Sequence, residues 1–252
     1  MLNSVGTEDI IGLGRRYPAG SHLEPHRHDR SQLLYGLTGT VVVTGTAGRW
    51  MMPPDSALWI PAQVLHEVDM VGEVHMRSLY LRPDLPLQMP RNCAVLSVSP
   101  LPRALLDEIA GGAAEATQKR KMLEKLVLVE IASRPILPLS LPLPEAGPMR
   151  DLCQAFSAAP DAHAKLDEWC VALNVSRRTF TRAFRTAIGL SFVEWRTRAC
   201  VLAAISHLAE GQTVTRIAFD LGYDSSASFT AMFRRSTGSP PSRYRHGPDD
   251  PE

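Results

Sequence analysis

The sequence predicts an α+β protein: an N-terminal β-barrel with two following helices, then a C-terminal domain that is helical throughout. Three observations predict it. From about Tyr17 to Tyr80 the chain is rich in valine, glycine and turn dipeptides, as in the run from Thr38 to Gly48. Between Pro135 and Pro148 five of fourteen residues are proline. Beyond Pro148 the periodicity is helical, and one pattern is written twice.

The barrel comes first. Short apolar runs broken by glycine and proline read as an antiparallel sandwich or barrel. Two helical patterns follow, around Pro102–Ala114 and Glu115–Ser133. In the second, Met122, Leu123, Leu126, Val127 and Ile131 recur at i, i+3, i+4 spacing. Such a helix either covers a barrel face or pairs two copies of the chain.

Prolines 135, 138, 142, 144 and 148 exclude a helix or a central strand, so this segment reads as an extended tether. Its interleaved leucines suggest that it lies on a domain surface. The expected organisation is therefore 1–134 barrel domain, 135–148 tether, 149–246 helical domain and 247–252 tail.

In the helical domain, Leu166–Gly189 repeats as Val214–Gly238. Leu173 pairs with Leu221 at an offset of 48, and Phe180, Phe184, Gly189 and Arg196 pair with Phe229, Phe233, Gly238 and Arg245 at 49. Each copy reads as a short helix, a tight turn and a capped second helix. Small Cys170 and Ala218 sit where two helices approach, and Asn174 and Gly222 suit a left-handed turn. Ser176 and Ser225 (or Asp224) are cap candidates. The phenylalanine pairs form a buried stripe, which frees the opposite face. This is a helix-turn-helix, at about 166–187 and again at 214–236. Between the copies, Ser191–Ala209 contains no proline or glycine and reads as one helix of roughly 27–28 Å. It would hold two recognition helices about one DNA turn (~34 Å) apart.

Charge and composition set the remaining bounds. The 252 residues are 44 % apolar and 21 % charged, a globular composition with room for one large or two ordinary domains. A net charge of +1 argues superficially against a polyanion partner. Resolved by segment, 1–148 sums to −1, whereas Ser176–His246 holds 11 arginines against four acids, a net of +7. No apolar run reaches membrane-spanning length, and no basic patch precedes an apolar stretch at the N-terminus. Cys93, Cys153, Cys170 and Cys200 form no C-x-x-C pair and read as reduced structural thiols. A cytoplasmic protein is expected.

Residues ~150–246, about 40 % of the chain, resemble the DNA-binding domain of the AraC/XylS family of bacterial transcription regulators. The resemblance is carried by Ile217-Ala-Phe-Asp-Leu-Gly-Tyr-Asp-Ser225, Phe229, Phe233-Arg234 and Gly238-Ser-Pro-Pro-Ser-Arg-Tyr-Arg245; Cys170 stands where alanine is more usual. It implies double-stranded promoter DNA as partner, a homodimer, and RNA polymerase as a further partner if the protein activates. It directs Arg178, Thr181 and Arg182 toward base edges in the first copy and Ser226, Ala227, Ser228 and Ala231 in the second. Arginine can bond guanine with two donors, whereas alanine offers only a methyl contact to thymine, so the first helix should carry most hydrogen-bonded reading. Arg177, Arg185, Arg234, Arg235 and Arg243 are candidate phosphate clamps, some of them ordinary solvated arginines.

In the N-terminal half, Gly20 to Gly39 resembles the first cupin motif, with His26, His28 and Gln32 at the ligand spacing and glutamine in place of the acid. Pro61 to His66 resembles the second, with Gln63 for glycine. His26, His28 and Gln32 share strand parity, so an unbroken strand would point all three to one face. With His66 they suit a divalent transition metal. A metal-free effector pocket and a purely structural cluster are the alternatives. Trp50, Trp59 and Tyr35 are either aromatic walls of that pocket or core, and His22 and His75 are taken as incidental.

The expected function is a transcription regulator, not an enzyme, controlled by a small molecule or metal in the barrel. A metal-dependent cupin enzyme with an appended DNA-binding domain is the alternative; Gln32 and the doubled repeat argue against it. A regulator with no small-molecule input is a third reading.

Overall fold

The computed structural model describes residues 9–86, 88–111 and 117–245. The predicted tail 247–252, His246 and the junction of the two predicted helices at 112–116 lie outside the described residues. The chain separates into two compact units: one ends at Leu137, and the other runs from Pro138 and takes in 46–49.

Among the described residues the first unit is built on seven strands: β1 (Ile10–Tyr17), β2 (His22–His26), β3 (Ser31–Gly45), β4 (Gly48–Met52), β5 (Ser56–Ile60), β6 (His66–Leu81) and β7 (Ala94–Ser97). Their order is β1-β6-β3-β4, with β2 on β6 and β5 between β3 and β7. The long strands β3 and β6 are antiparallel from Ser31↔Leu81 to Gly45↔His66, with register shifts near Thr38. Side chains alternate between faces with period two. Leu33, Tyr35, Leu79 and Leu81 therefore enter one core with Leu105, Leu106 and Ile109 of α1 (Pro100–Gly111) and Val127 and Ile131 of α2 (Gln118–Ala132).

Both predicted helices are present, and α1 begins at Pro100, two residues before the predicted start. Thr117 caps α2 by accepting from the Arg120 amide at 3.1 Å. The helix buries Val127 and Ile131, while Met122, Leu126 and Val129 stay 62, 42 and 67 % exposed on another side. The covering role is thus observed, and an apolar stripe remains.

The proline-rich segment is not one tether. Its first residues run beside β7: the Leu137 amide donates to Val95 at 2.8 Å, and the Ser97 amide to Pro135 at 3.1 Å. From Pro138 onward it belongs to the second unit, where β8 (Ser140–Pro142) follows and the Trp195 indole donates to the Pro142 carbonyl at 2.8 Å. Proline removes donors but leaves carbonyls, so the segment is held largely through its acceptors and leucines.

The second unit is helical: α3 (Pro148–Ala158), α4 (Leu166–Ala172), α5 (Arg177–Ile188), α6 (Phe192–Ala209), α7 (Val214–Asp220) and α8 (Ser226–Thr237). Asn174 (φ 50°) and Gly222 (φ 80°) make the two turns, and Gly189 and Gly238 end the second helices at φ 78° and 77°. Ser176 caps α5 and Ser225 caps α8, which settles the choice between Ser225 and Asp224. Trp169 packs against Phe192 at 5.0 Å and Trp195 at 5.8 Å, with Phe156, Phe180 and Phe184 closing the cluster. The four cysteines are free, and burial pushes the thiols of Cys93, Cys153 and Cys200 up to about 12.

At Gly12 the helix meets the sheet at close range. A Cβ there would lie 2.5 Å from the Ile109 carbonyl oxygen and 2.9 Å from the Ala110 Cα. Gly12→Ala must displace α1 as a body, so it should destabilise the first unit by about 1–3 kcal/mol, measured as a lowered denaturation midpoint.

Candidate effector pocket and nucleic-acid interface

The sheet face opposite the helices lines a cavity of about 630 Å³. The same alternation that sends Leu33 and Leu79 to the core sends Gln32 and Leu34 of β3, and His66, Val68, Met76, Ser78 and Tyr80 of β6, into this cavity. Leu13, Arg15 and Tyr17 of β1 join them. The volume lies within the range of small-molecule sites, about 300–1,000 Å³.

Three imidazoles converge there. His26 ends β2 directly across from His66 at the start of β6, with ring centroids 4.5 Å apart. His28 lies 5.5 Å from His26 and 5.0 Å from His66. One nitrogen from each ring falls within 4.8 Å of the others. The shared-parity argument for the first motif does not hold, because the strand breaks after His26 and His28 sits in the bend before β3. Folding of that bend, not alternation, brings His28 to the cluster.

Each ring is oriented by its other nitrogen. Nδ1 of His26 bonds the Glu24 carbonyl at 2.8 Å, Nδ1 of His66 the Val64 carbonyl at 2.9 Å, and Nδ1 of His28 the Arg30 carbonyl at 3.3 Å. A carbonyl can only accept, so each Nδ1 carries hydrogen, and in the neutral ring Nε2 keeps its lone pair. Nε2 of His28 is buried with no hydrogen-bond partner among the described residues. Burial lowers the pKa of His28, and burial with the neighbouring imidazoles lowers that of His66 to about 4. The arrangement is three nitrogen acceptors facing one point, with backbone carbonyls behind them.

Gln32 is fixed by its amide nitrogen, which donates to Ser78 Oγ at 3.0 Å and to the Tyr80 hydroxyl at 3.1 Å. Trp50, Trp59 and Tyr35 do not line the cavity; all three are buried core, and the indoles of Trp50 and Trp59 donate to the Cys93 and Pro90 carbonyls. Tyr17 and Tyr80 are the aromatic walls instead. His22, read as incidental, lies on the cavity lining and bonds Asp69 at 2.8 Å; His75 stays outside beside Glu73. Arg15, Tyr17 and Tyr80 went unnoticed in the sequence. Their period-two spacing along β1 and β6 was the available signal.

In the second unit, Phe180, Phe184 and Ile188 form the buried side of α5. Arg178, Thr181, Arg182 and Arg185, at i, i+3, i+4 and i+7, are all exposed. Arg177 differs: its guanidinium pairs with both carboxylate oxygens of Asp167 in α4. On α8, Phe229, Met232 and Phe233 are buried, while Ala227, Ser228, Ala231, Arg234 and Arg235 are exposed and Ser226 is half-buried. The Ser228 hydroxyl donates to the Ser225 carbonyl at 2.8 Å and so serves the cap. The 49-residue offset aligns Arg178, Thr181, Arg182 and Arg185 with Ala227, Thr230, Ala231 and Arg234. Thr230 is therefore a position that the sequence reading passed over. Arg243 is exposed in the 3₁₀ turn Pro241–Tyr244.

A sheet domain with a ligand-sized cavity and a tandem helix-turn-helix with an arginine-lined face define a DNA-binding regulator with its own sensing domain. Residues 9–124 match the AraC-like ligand binding domain family, and residues 169–247 match the helix-turn-helix domain family. The chain is 31 % identical over 223 residues to the transcriptional regulator NimR of Escherichia coli, covering 87 % of this chain and 81 % of that protein. It is 35 % identical over 106 residues to the regulator RipA of Corynebacterium glutamicum, covering 42 % and 32 %. Among solved structures it is similar to the DNA-binding domain of AdpA in complex with a target DNA, at 27 % identity and TM-score 0.37, covering 40 % of this chain and 91 % of that one. The chain belongs to the AraC family of transcriptional regulators, with an N-terminal ligand-binding domain and a C-terminal helix-turn-helix domain.

The buried imidazoles also set a pH dependence. An unfolded histidine titrates near 6.5, whereas His66 in the fold titrates near 4. Between these values the unfolded chain binds the extra proton, so stability is full above ~6.5 and falls as pH drops toward ~4. In chelator-treated protein, denaturation midpoints across this window should show a loss on the order of 1–3 kcal/mol, and His66→Gln should flatten it.

Proposed function

We propose that the chain reads promoter DNA chiefly with α5, and that α8 contributes shape and backbone fit. One observation supports this most directly. The side chains of the stripe Arg178, Thr181, Arg182 and Arg185 make no hydrogen bond or ion pair among the described residues, and the stripe lies opposite the phenylalanines. Arg178 and Arg182 each carry the fork that matches guanine O6 and N7, while Ala227 and Ala231 supply methyl contacts. Thr230 and Thr181 occupy equivalent places. Arg185, Arg234, Arg235 and Arg243 take the phosphate role, and Arg177 is spent on Asp167. Two recognition helices on one chain then enter successive major grooves.

The test is a binding site selected from random DNA, followed by affinities for every single-base variant of it. Arg182→Ala should lose discrimination at one base pair, by about 1–3 kcal/mol. Uniform weakening across all variants would move Arg182 to the phosphate group. Wild-type affinity should fall linearly with log salt, as phosphate neutralisation requires.

The cavity is proposed as the effector site, and His26, His28 and His66 as a seat for a divalent transition metal. The donor set fits: three imidazole rings, each oriented through a backbone carbonyl, and an orphaned buried Nε2 on His28. When bound, the ion supplies positive charge and open coordination positions for an effector. Gln32 brings no anionic ligand and no base, which favours sensing over catalysis. Titration of chelator-treated protein with Zn²⁺ or Co²⁺ should give one ion per chain, lost in His28→Ala and His66→Ala. Equal binding by wild type and variants would remove the metal from this reading.

The exposed stripe Met122, Leu126 and Val129 on α2 is proposed to pair two copies of the chain. Leu126→Glu combined with Val129→Glu should shift sedimentation from dimer to monomer with the fold retained. We propose that the protein works in the cytoplasm, with RNA polymerase as partner where it activates. No helix among the described residues is long and apolar enough to cross a membrane.

A further inference from the structure

We infer that the cavity takes a small organic anion, a carboxylate on an apolar body, and that Arg15 meets its charge. This rests on the reading of the cavity as the effector site and adds the ligand's chemical class. Arg15 sits on the cavity face of β1 between Leu13 and Tyr17, across from Met76 of β6. Its side chain is exposed and makes no hydrogen bond or ion pair among the described residues, whereas five of the unit's ten arginines pair with an acid: Arg77 with Asp107, Arg82 with Asp84, Arg103 with Asp55, Arg120 with Glu124 and Arg134 with Glu130.

The lining has one other arginine, Arg27, and one acid, Glu24. Glu24 is 89 % exposed and turned toward His22 at 3.9 Å, so it does not neutralise Arg15. A cationic ligand would find no buried carboxylate in this lining. On the same lining the hydroxyls of Ser78 and Tyr80 both accept from the Gln32 amide, and the charge of Arg15 acts electrostatically on Tyr80. An arginine fork matches the two oxygens of a carboxylate. The rest of the wall is Leu13, Leu23, Leu34, Val68 and Met76. An inorganic anion would leave that surface wet, whereas an apolar body covers it.

The experiment uses the full chain, both chelator-treated and Zn²⁺-loaded, with matched probes: hexanoate against hexanamide and hexylamine, and 4-methylbenzoate against 4-methylbenzamide. Calorimetric titration should show the carboxylates binding about tenfold or more tightly than their amides and amine, in both metal states. Arg15→Gln should remove most of that difference and Arg15→Lys should restore part of it, with melting temperatures confirming that both variants fold. Equal affinity for carboxylate and amide would overturn the inference and leave the cavity reading intact. A preference that survives Arg15→Gln and vanishes with the metal would assign the charge to the ion and overturn the role of Arg15. Binding of none of the probes to either form would overturn the cavity reading, and this inference with it.

Discussion

The first unit depends on the antiparallel ladder between β3 and β6. These strands of 15 and 16 residues each present two faces, and the ladder holds both faces in register over most of their length. One face buries Leu33, Tyr35, Leu79 and Leu81 under α1 and α2; the other delivers Gln32, Leu34, Ser78 and Tyr80 to a cavity. A one-residue slip would exchange the two sets, placing a polar cluster under the helices and leucines in the pocket. The stability of the helix-covered core therefore also fixes the pocket's chemistry.

Within the pocket, the histidines owe their use to groups that never face it. The carbonyls of Glu24, Val64 and Arg30 hold each Nδ1, and in the neutral ring that leaves the lone pair on Nε2. Burial then keeps His28 and His66 neutral near neutral pH. Nitrogen acceptors that converge without donors between them suit a metal cation. Arg15 stands on a different strand, so the pocket keeps its imidazole acceptors apart from its arginine.

The second unit solves a different problem, freeing one helix face for a partner. The cluster around Trp169 consumes Phe180 and Phe184, which orients α5 so that its arginines point away. The second copy repeats the device with Phe229 and Phe233 against Tyr223 and Tyr244, yet presents alanines where the first presents arginines. Common packing thus carries two unlike outer faces. The neutral total charge conceals this, because the acids lie mostly outside the repeat.

By itself, the sequence determined the helical repeat, its caps and turns, the outward arginine stripe and the histidine set, since these follow from local spacing. Ser176, Asn174 and the phenylalanine pairs need only neighbours within a few residues to declare their roles. Tertiary structure alone decided what depends on where strands end and which face meets the helices. Parity suggested that His26, His28 and Gln32 share a face, but the strand breaks at His26, and a bend supplies His28. Tyr35 and Trp59 looked equally fit for pocket or core; the face covered by α1 and α2 put them in the core. Arg177 looked like its neighbours until α4 brought Asp167 to it, and the proline segment looked like one tether until each end found its own unit. Spacing fixes how residues alternate along an element, whereas contacts between distant elements choose which side is inside.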